Sequence, residues 1–125
     1  MSIDRLTRVN ELIKREVAEN LFHVMHESGF DLSAVTVTHV ITSTDLRHAR
    51  VLVSIRADPG DRPWMVRMLN KHARQFQHHL GKSIILKYTP QIVFELDESI
   101  EKGDRILRLI SELEEKQTAG GQDAP

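Results

Sequence analysis

The chain has 125 residues, with 17 Lys and Arg against 18 Asp and Glu and no cysteine. One domain of this length buries a core without covalent staples, and the missing thiols exclude a disulfide scaffold, a Cys-ligated metal or iron–sulfur centre and a thiol nucleophile. No apolar run approaches the ~20 residues of a membrane span and MSIDRLTRVNELIKRE holds no apolar signal core, so the expectation is a soluble, cytoplasmic monomer without a cofactor.

Leu6, Val9, Ile13, Val17, Leu21 and Val24 recur at three- and four-residue spacing and predict a long first helix that stops at Ser28-Gly29. The β-branched alternation of VTVTHVIT predicts a strand over 35–42. A second strand follows over 47–57, with Ala49, Val51, Val53 and Ile55 on one face and His48, Arg50, Leu52, Ser54 and Arg56 on the other. Thr44-Asp45-Leu46 is the connecting turn. DPGDRP breaks the strand, and Pro63 suits the first turn of a second helix that reaches Leu80 and is closed by Gly81. IILKYTPQIVFEL then reads as a third strand, bent at Pro90, whose even-numbered face (Ile84, Leu86, Tyr88, Ile92, Phe94, Leu96) is apolar. A last helix over 99–116 is expected to bury Ile106, Leu109, Ile110 and Leu113, leaving 117–125 as a disordered tail. The order is α-β-β-α-β-α, a single α+β domain over 1–116: a three-stranded mixed sheet with its helices on one face.

The near-neutral sum conceals a division, because the net charge is −3 over 1–45, +7 over 46–90 and −5 over 91–125. On the second helix Arg67, Lys71, Arg74 and His78 share one stripe, opposite Val66, Leu69, Ala73, Phe76 and Leu80. No acid follows Asp61 on that helix. Surface helices ordinarily mix signs, and like charges at this spacing repel by some tenths of a kcal/mol per pair, so a polyanion partner outweighs a merely solvated face. Arg47, Arg50, Arg56, Lys82 and Lys87 are candidates to extend the patch. Stacking platforms are scarce: Phe76, Tyr88 and Phe94 fall on apolar faces, and Trp64 reads first as packing at the start of the second helix. Structured RNA held by its backbone is therefore favoured over base reading of a single strand, and the GxxG loop of a KH domain is missing.

Catalysis finds little support. Asp45 and His48 could form an acid–base pair, but Asp45 reads better as a turn cap. His23 and His26, with Glu19 and Glu27, match no metal-ligand spacing, and Asp97, Glu98, Glu101 and Asp104 read as a solvated helix start.

The segments RVNELIKREVAENL, VTVTHVITSTDLRHARVLVS, LGKSIILKYTPQI and VFELDESIEKGDRILRLI resemble the ribosome-binding factor A family over about residues 5–113. The joint order of STDLRHARV and PxIxFxxDxSxxxGxxI is the specific part of that resemblance. It implies a type II KH-like fold and binding to the immature 30S small ribosomal subunit through 16S rRNA during late assembly. It also implies action at the 5′ region of that rRNA and support of growth in the cold, by an assembly factor and not an enzyme. Where the family often carries Ala-x-Gly, a helix kink, this chain has His72-Ala73-Arg74, which predicts a straighter second helix. The expected RNA contact is led by Arg67, Lys71 and Arg74, with Arg47, Arg50, Arg56, His78, Lys82 and Lys87 in support. The alternative is a protein-interaction module whose acidic last segment docks a ribosomal protein or an assembly GTPase.

Overall fold

The computed structural model describes residues 2–26 and 28–123. Helix α1 (Ser2–Val24) leads through a 3-10 turn (Leu32–Ala34) into the antiparallel hairpin β1 (Val35–Thr42) and β2 (His48–Ile55). Helices α2 (Arg62–Lys71) and α3 (Ala73–Ser83) carry the chain over to β3 (Gln91–Leu96), parallel to β2, and α4 (Ser99–Asp123) follows. The sheet order is β1-β2-β3, so the central strand is the second.

Covered on one side, the sheet turns Val35, Val37, Val51, Val53, Ile55, Ile92 and Phe94 toward Ile13, Val17 and Leu21 of α1, Met65 and Leu69 of α2 and Phe76 and Leu80 of α3. Phe76 meets Phe94 edge-on at 5.0 Å, joining α3 to β3. Full burial of such side chains stabilises by about 1.5–3 kcal/mol each, which is why the apolar periodicities of the sequence locate the elements. The second strand alternates as its sequence implies. The first does so only in part: Thr38 and His39 are adjacent polar residues, a bulge between Val37 and His39 absorbs the extra position, and beyond it Val40 and Thr42 are buried while Ile41 faces solvent.

Side-chain amides cap backbone groups on both open edges of the sheet. On β3, the N–H groups of Ile92 and Phe94 point away from β2. Asn70 Oδ1 accepts from Phe94 N (2.8 Å) while its Nδ2 donates to Phe94 O (3.0 Å), and Gln77 Oε1 accepts from Ile92 N (3.0 Å). On β1, Asn10 Oδ1 accepts from Thr42 N (3.0 Å). These four backbone groups, which would otherwise be unpaired or offered to another strand, are satisfied by α1, α2 and α3.

The second helix is not straight. It breaks at His72 (φ −101°, ψ 11°), which ends α2 and starts α3. No Pro or Gly lies there, so packing imposes the break: Leu69 and Asn70 hold α2, and Phe76 and Gln77 hold α3, each to the sheet. The helix propensity of Arg74 is worth tenths of a kcal/mol and loses to those contacts. Gly81 is no terminator, since α3 runs on to Ser83; a Cβ at Gly81 would stand 2.9 Å from Thr89 Oγ1, so its bare backbone lets the next segment approach. That segment, 84–90, is connection and not strand: Pro90 is buried, Ile85 is wholly exposed, and pairing with β2 begins only at Gln91. Helix α1 ends at Val24, short of Gly29, which takes φ +80° in the following turn.

Helix α4 also departs from expectation. Ile106, Leu109, Ile110 and Leu113 are 46–58% exposed, because periodicity reports an apolar stripe and not whether anything covers it. The helix continues to Asp123, past the expected end at Lys116. At its root, Asp97 Oδ1 accepts from Ser99 N (2.9 Å) and Oδ2 lies 2.5 Å from Thr38 Oγ1 at the bulge. Thr38 Oγ1 is also 3.1 Å from Leu52 O, and its single proton goes to the charged acceptor. Bonds from the Ser99 hydroxyl, then Thr38, then the Ser99 N–H hold the Asp97 carboxyl down to about 2, with burial opposing.

Two stability predictions follow from these bonds. Asn70→Ala leaves the Phe94 N–H and C=O without partners and should lower urea-unfolding stability by about 1–3 kcal/mol; an unchanged midpoint and slope would show that the edge needs no amide. Because Asp97 binds its proton less readily folded than unfolded, its contribution is complete above roughly pH 4 and is lost as pH falls toward 2. Stability of the native chain should therefore drop more steeply over that window than that of Asp97→Asn, and parallel curves would refute the assignment.

Candidate nucleic-acid interface

Two helix faces, one sheet end and one connecting segment place the basic residues. On α2 and α3, Arg67, Lys71, Arg74 and His78 are exposed while Met65, Leu69, Phe76 and Leu80 are buried, so the two stripes separate as the spacing implies. Asn70 and Gln77 flank the basic stripe, one on each helix, and their bonds to β3 fix how far each helix is turned about its axis. The break adds something a continuous helix would lack. It creates a second helix N-terminus beside Arg74, with no side-chain cap and no acid in its first turn, and the positive pole of that helix adds to the local potential.

At the far end of α3 the close approach of Gly81 to Thr89 brings the segment carrying Lys87 and Tyr88 against the helix end that carries Lys82. Arg47 joins from the hairpin, with its Cζ 4.8 Å from the Tyr88 ring centre, and Lys87 Nζ stands 5.5 Å from the same centre. The hairpin turn is rigid: Asp45 Oδ1 accepts from the Ser43 hydroxyl (2.6 Å) and from Arg47 N (3.0 Å), Leu46 N donates to Ser43 O (2.9 Å), and Leu46 takes φ +60°. The bond from Ser43, and then that from Arg47 N, lowers the Asp45 carboxyl below its usual range. Asp45 is thus a turn cap.

Two residues of the expected patch stand apart. Arg50 lies on the outer sheet face, where its Nε is 2.6 Å from Glu95 Oε2. Arg56 is at the other end of β2, in a shallow cleft with Asp31, Asp61 and Trp64. Trp64 packs against Phe30 at 6.2 Å, as the packing reading of that residue implies. Tyr88 corrects the sequence: it is 47% exposed and not on a covered face, because 84–90 does not continue the strand and its alternation carries no meaning there. The edge amides Asn70 and Gln77 carry no signal in the sequence, since both stand between the basic and the apolar stripe, where polar residues are ordinary.

Known proteins resemble this chain in sequence and in fold. The family model described as ribosome-binding factor A matches residues 5–110. The ribosome-binding factor A of Opitutus terrae is 38% identical over 111 residues, covering 89% of this chain and 88% of that protein. That of Synechocystis is 38% identical over 109 residues, covering 87% and 82%. Among solved structures, the solution structure of a Thermotoga maritima protein described as a putative ribosome binding factor A aligns with TM-score 0.70 at 29% identity, over 78% of this chain and 91% of that one. A homology model of the Thermus thermophilus ribosome-binding factor A, fitted into the cryo-EM map of its complex with the 30S subunit, aligns with TM-score 0.56 at 21% identity, over 70% and 89%. The shared fold is KH-like.

Proposed function

The chain belongs to the ribosome-binding factor A family, and from that premise we propose that it is a non-catalytic assembly factor that binds the immature 30S subunit through phosphates of 16S rRNA. The observation that carries this reading is the acid-free outer face of α2 and α3, where Arg67, Lys71 and Arg74 lead and His78 supports. Arg47, Lys82 and Lys87 extend it around the end of α3. Arg50, paired with Glu95, and Arg56, at the opposite end of β2, are secondary. Backbone contacts of this kind position a protein on structured RNA without reading sequence, so shape selects the site. We extend the proposal to late maturation of the 16S rRNA 5′ region and to growth in the cold, which the family resemblance implies.

A second reading is favoured by one feature, the uncovered apolar stripe of α4 set among acids, which suits a protein partner. Loss of the factor from small-subunit precursors after nuclease treatment supports the RNA reading, and retention supports this one.

The charge-based reading makes a quantitative demand. Each lost phosphate contact lowers the log–log salt slope of binding by about 0.9 or somewhat less. Replacing Arg67, Lys71 and Arg74 together by Ala should therefore reduce the slope by roughly 2–3 and weaken binding to precursor subunits most at low salt. A folded triple variant with unchanged affinity and slope would refute the assignment.

A further inference from the structure

Tyr88 is the chain's single tyrosine, and its surroundings are built in a way that bulk electrostatics does not require. Buried Pro90 and the Gly81–Thr89 approach anchor its segment on one side, and Gln91 N, donating to Arg47 O at 2.8 Å, ties it to β2 on the other. The ring is therefore held half out of the surface, with two clefts meeting along the wall that Arg47 and Tyr88 form. The first cleft gathers Arg5, Arg47 and Lys87 around one carboxylate, Asp45, whose oxygen is already engaged by Ser43 and by the Arg47 N–H. The second opens toward His48 and Gln91.

We propose that this corner binds one unpaired nucleotide of an RNA strand, the base stacking on Tyr88 and its phosphate taken by Arg47 and Arg5. The inference rests on the rRNA-binding reading above and adds to it a position that engages a base as well as phosphate. Arg47 is the fixed member: its backbone is locked in the hairpin turn, its guanidinium carbon lies 4.8 Å from the ring centre, and its fork of N–H donors suits a phosphate. Lys87 is the exchangeable one. Its ammonium sits farther from the ring, at 5.5 Å on a flexible stem, and a base displaces it from the ring toward the same phosphate. Any base has a stacking face, so the site tolerates sequence, yet it requires a nucleotide free of its helix.

The single tyrosine makes the test direct. Incorporation of 3-fluorotyrosine gives one 19F resonance, at this site. Titration of the full chain with a six-residue oligoadenylate should shift that resonance saturably, whereas the abasic oligomer of the same length should bind more weakly and shift it less. Tyr88→Leu, folded by circular dichroism, should bind the oligoadenylate about 5- to 150-fold more weakly, the range expected for one lost base–aromatic stack, with an unchanged salt slope because no phosphate contact is lost. Equal shifts from the abasic oligomer would make Tyr88 a brace for Arg47 alone and overturn the proposal. So would saturation by adenosine monophosphate at concentrations no higher than the oligomer needs, which would mark a free-nucleotide pocket. An unmoved resonance on a chain that still binds precursor subunits with a steep salt slope would overturn this site and leave the proposed function standing. Loss of that salt slope would instead remove the function itself.

Discussion

Three side-chain amides hold this small fold in its working shape. A three-stranded sheet has two open edges, and here Asn10 caps the end of β1 while Asn70 and Gln77 bind along β3. Since Asn70 lies before the break at His72 and Gln77 after it, the two halves of the crossover are pinned separately to one strand. Apolar burial supplies most of the stabilisation, but it is indifferent to small rotations of a helix about its axis. Directional bonds to Phe94 and Ile92 are not, and they decide which residues of α2 and α3 are left outside.

That constraint explains why so much of the chain was legible and where reading failed. Strand β2 was legible because one face packs on helices and the other meets water, so its alternation is a burial record. The β1 alternation carried the same record until Thr38-His39, where two polar residues in succession marked the bulge. The basic and apolar stripes of the second helix were legible for the same reason. Its break was not, because the contacts that impose it, apolar and hydrogen-bonding together, are made to a strand 15–24 residues away along the chain. Nor was the exposure of Tyr88: a run of alternating residues reads alike whether it pairs with a neighbour or runs as a connection. For α4 the sequence recorded an apolar stripe truthfully and was silent on what covers it.

Family membership and local physics contribute different things. The match over residues 5–110 identifies what kind of protein this is. The residues themselves account for how the near-zero net charge arises, from a basic middle between acidic flanks. On the proposed reading, those flanks weaken the attraction to any polyanion and leave the shape of the basic face to choose among RNAs. The break at His72 is part of that shape, since it interrupts the helix that carries the cations and adds the positive pole of α3 beside Arg74.

The absence of cysteine permits the most direct test of the central claim, that the outer face of α2 and α3 is the side turned to rRNA. A single cysteine at exposed Gln75 on α3, or at exposed Thr36 on the outer sheet face, can each carry an iron chelate for directed hydroxyl-radical cleavage of precursor small subunits. The account predicts localised cuts in 16S rRNA from position 75 and few or none from position 36. Strong cleavage from position 36 with none from position 75 would contradict it.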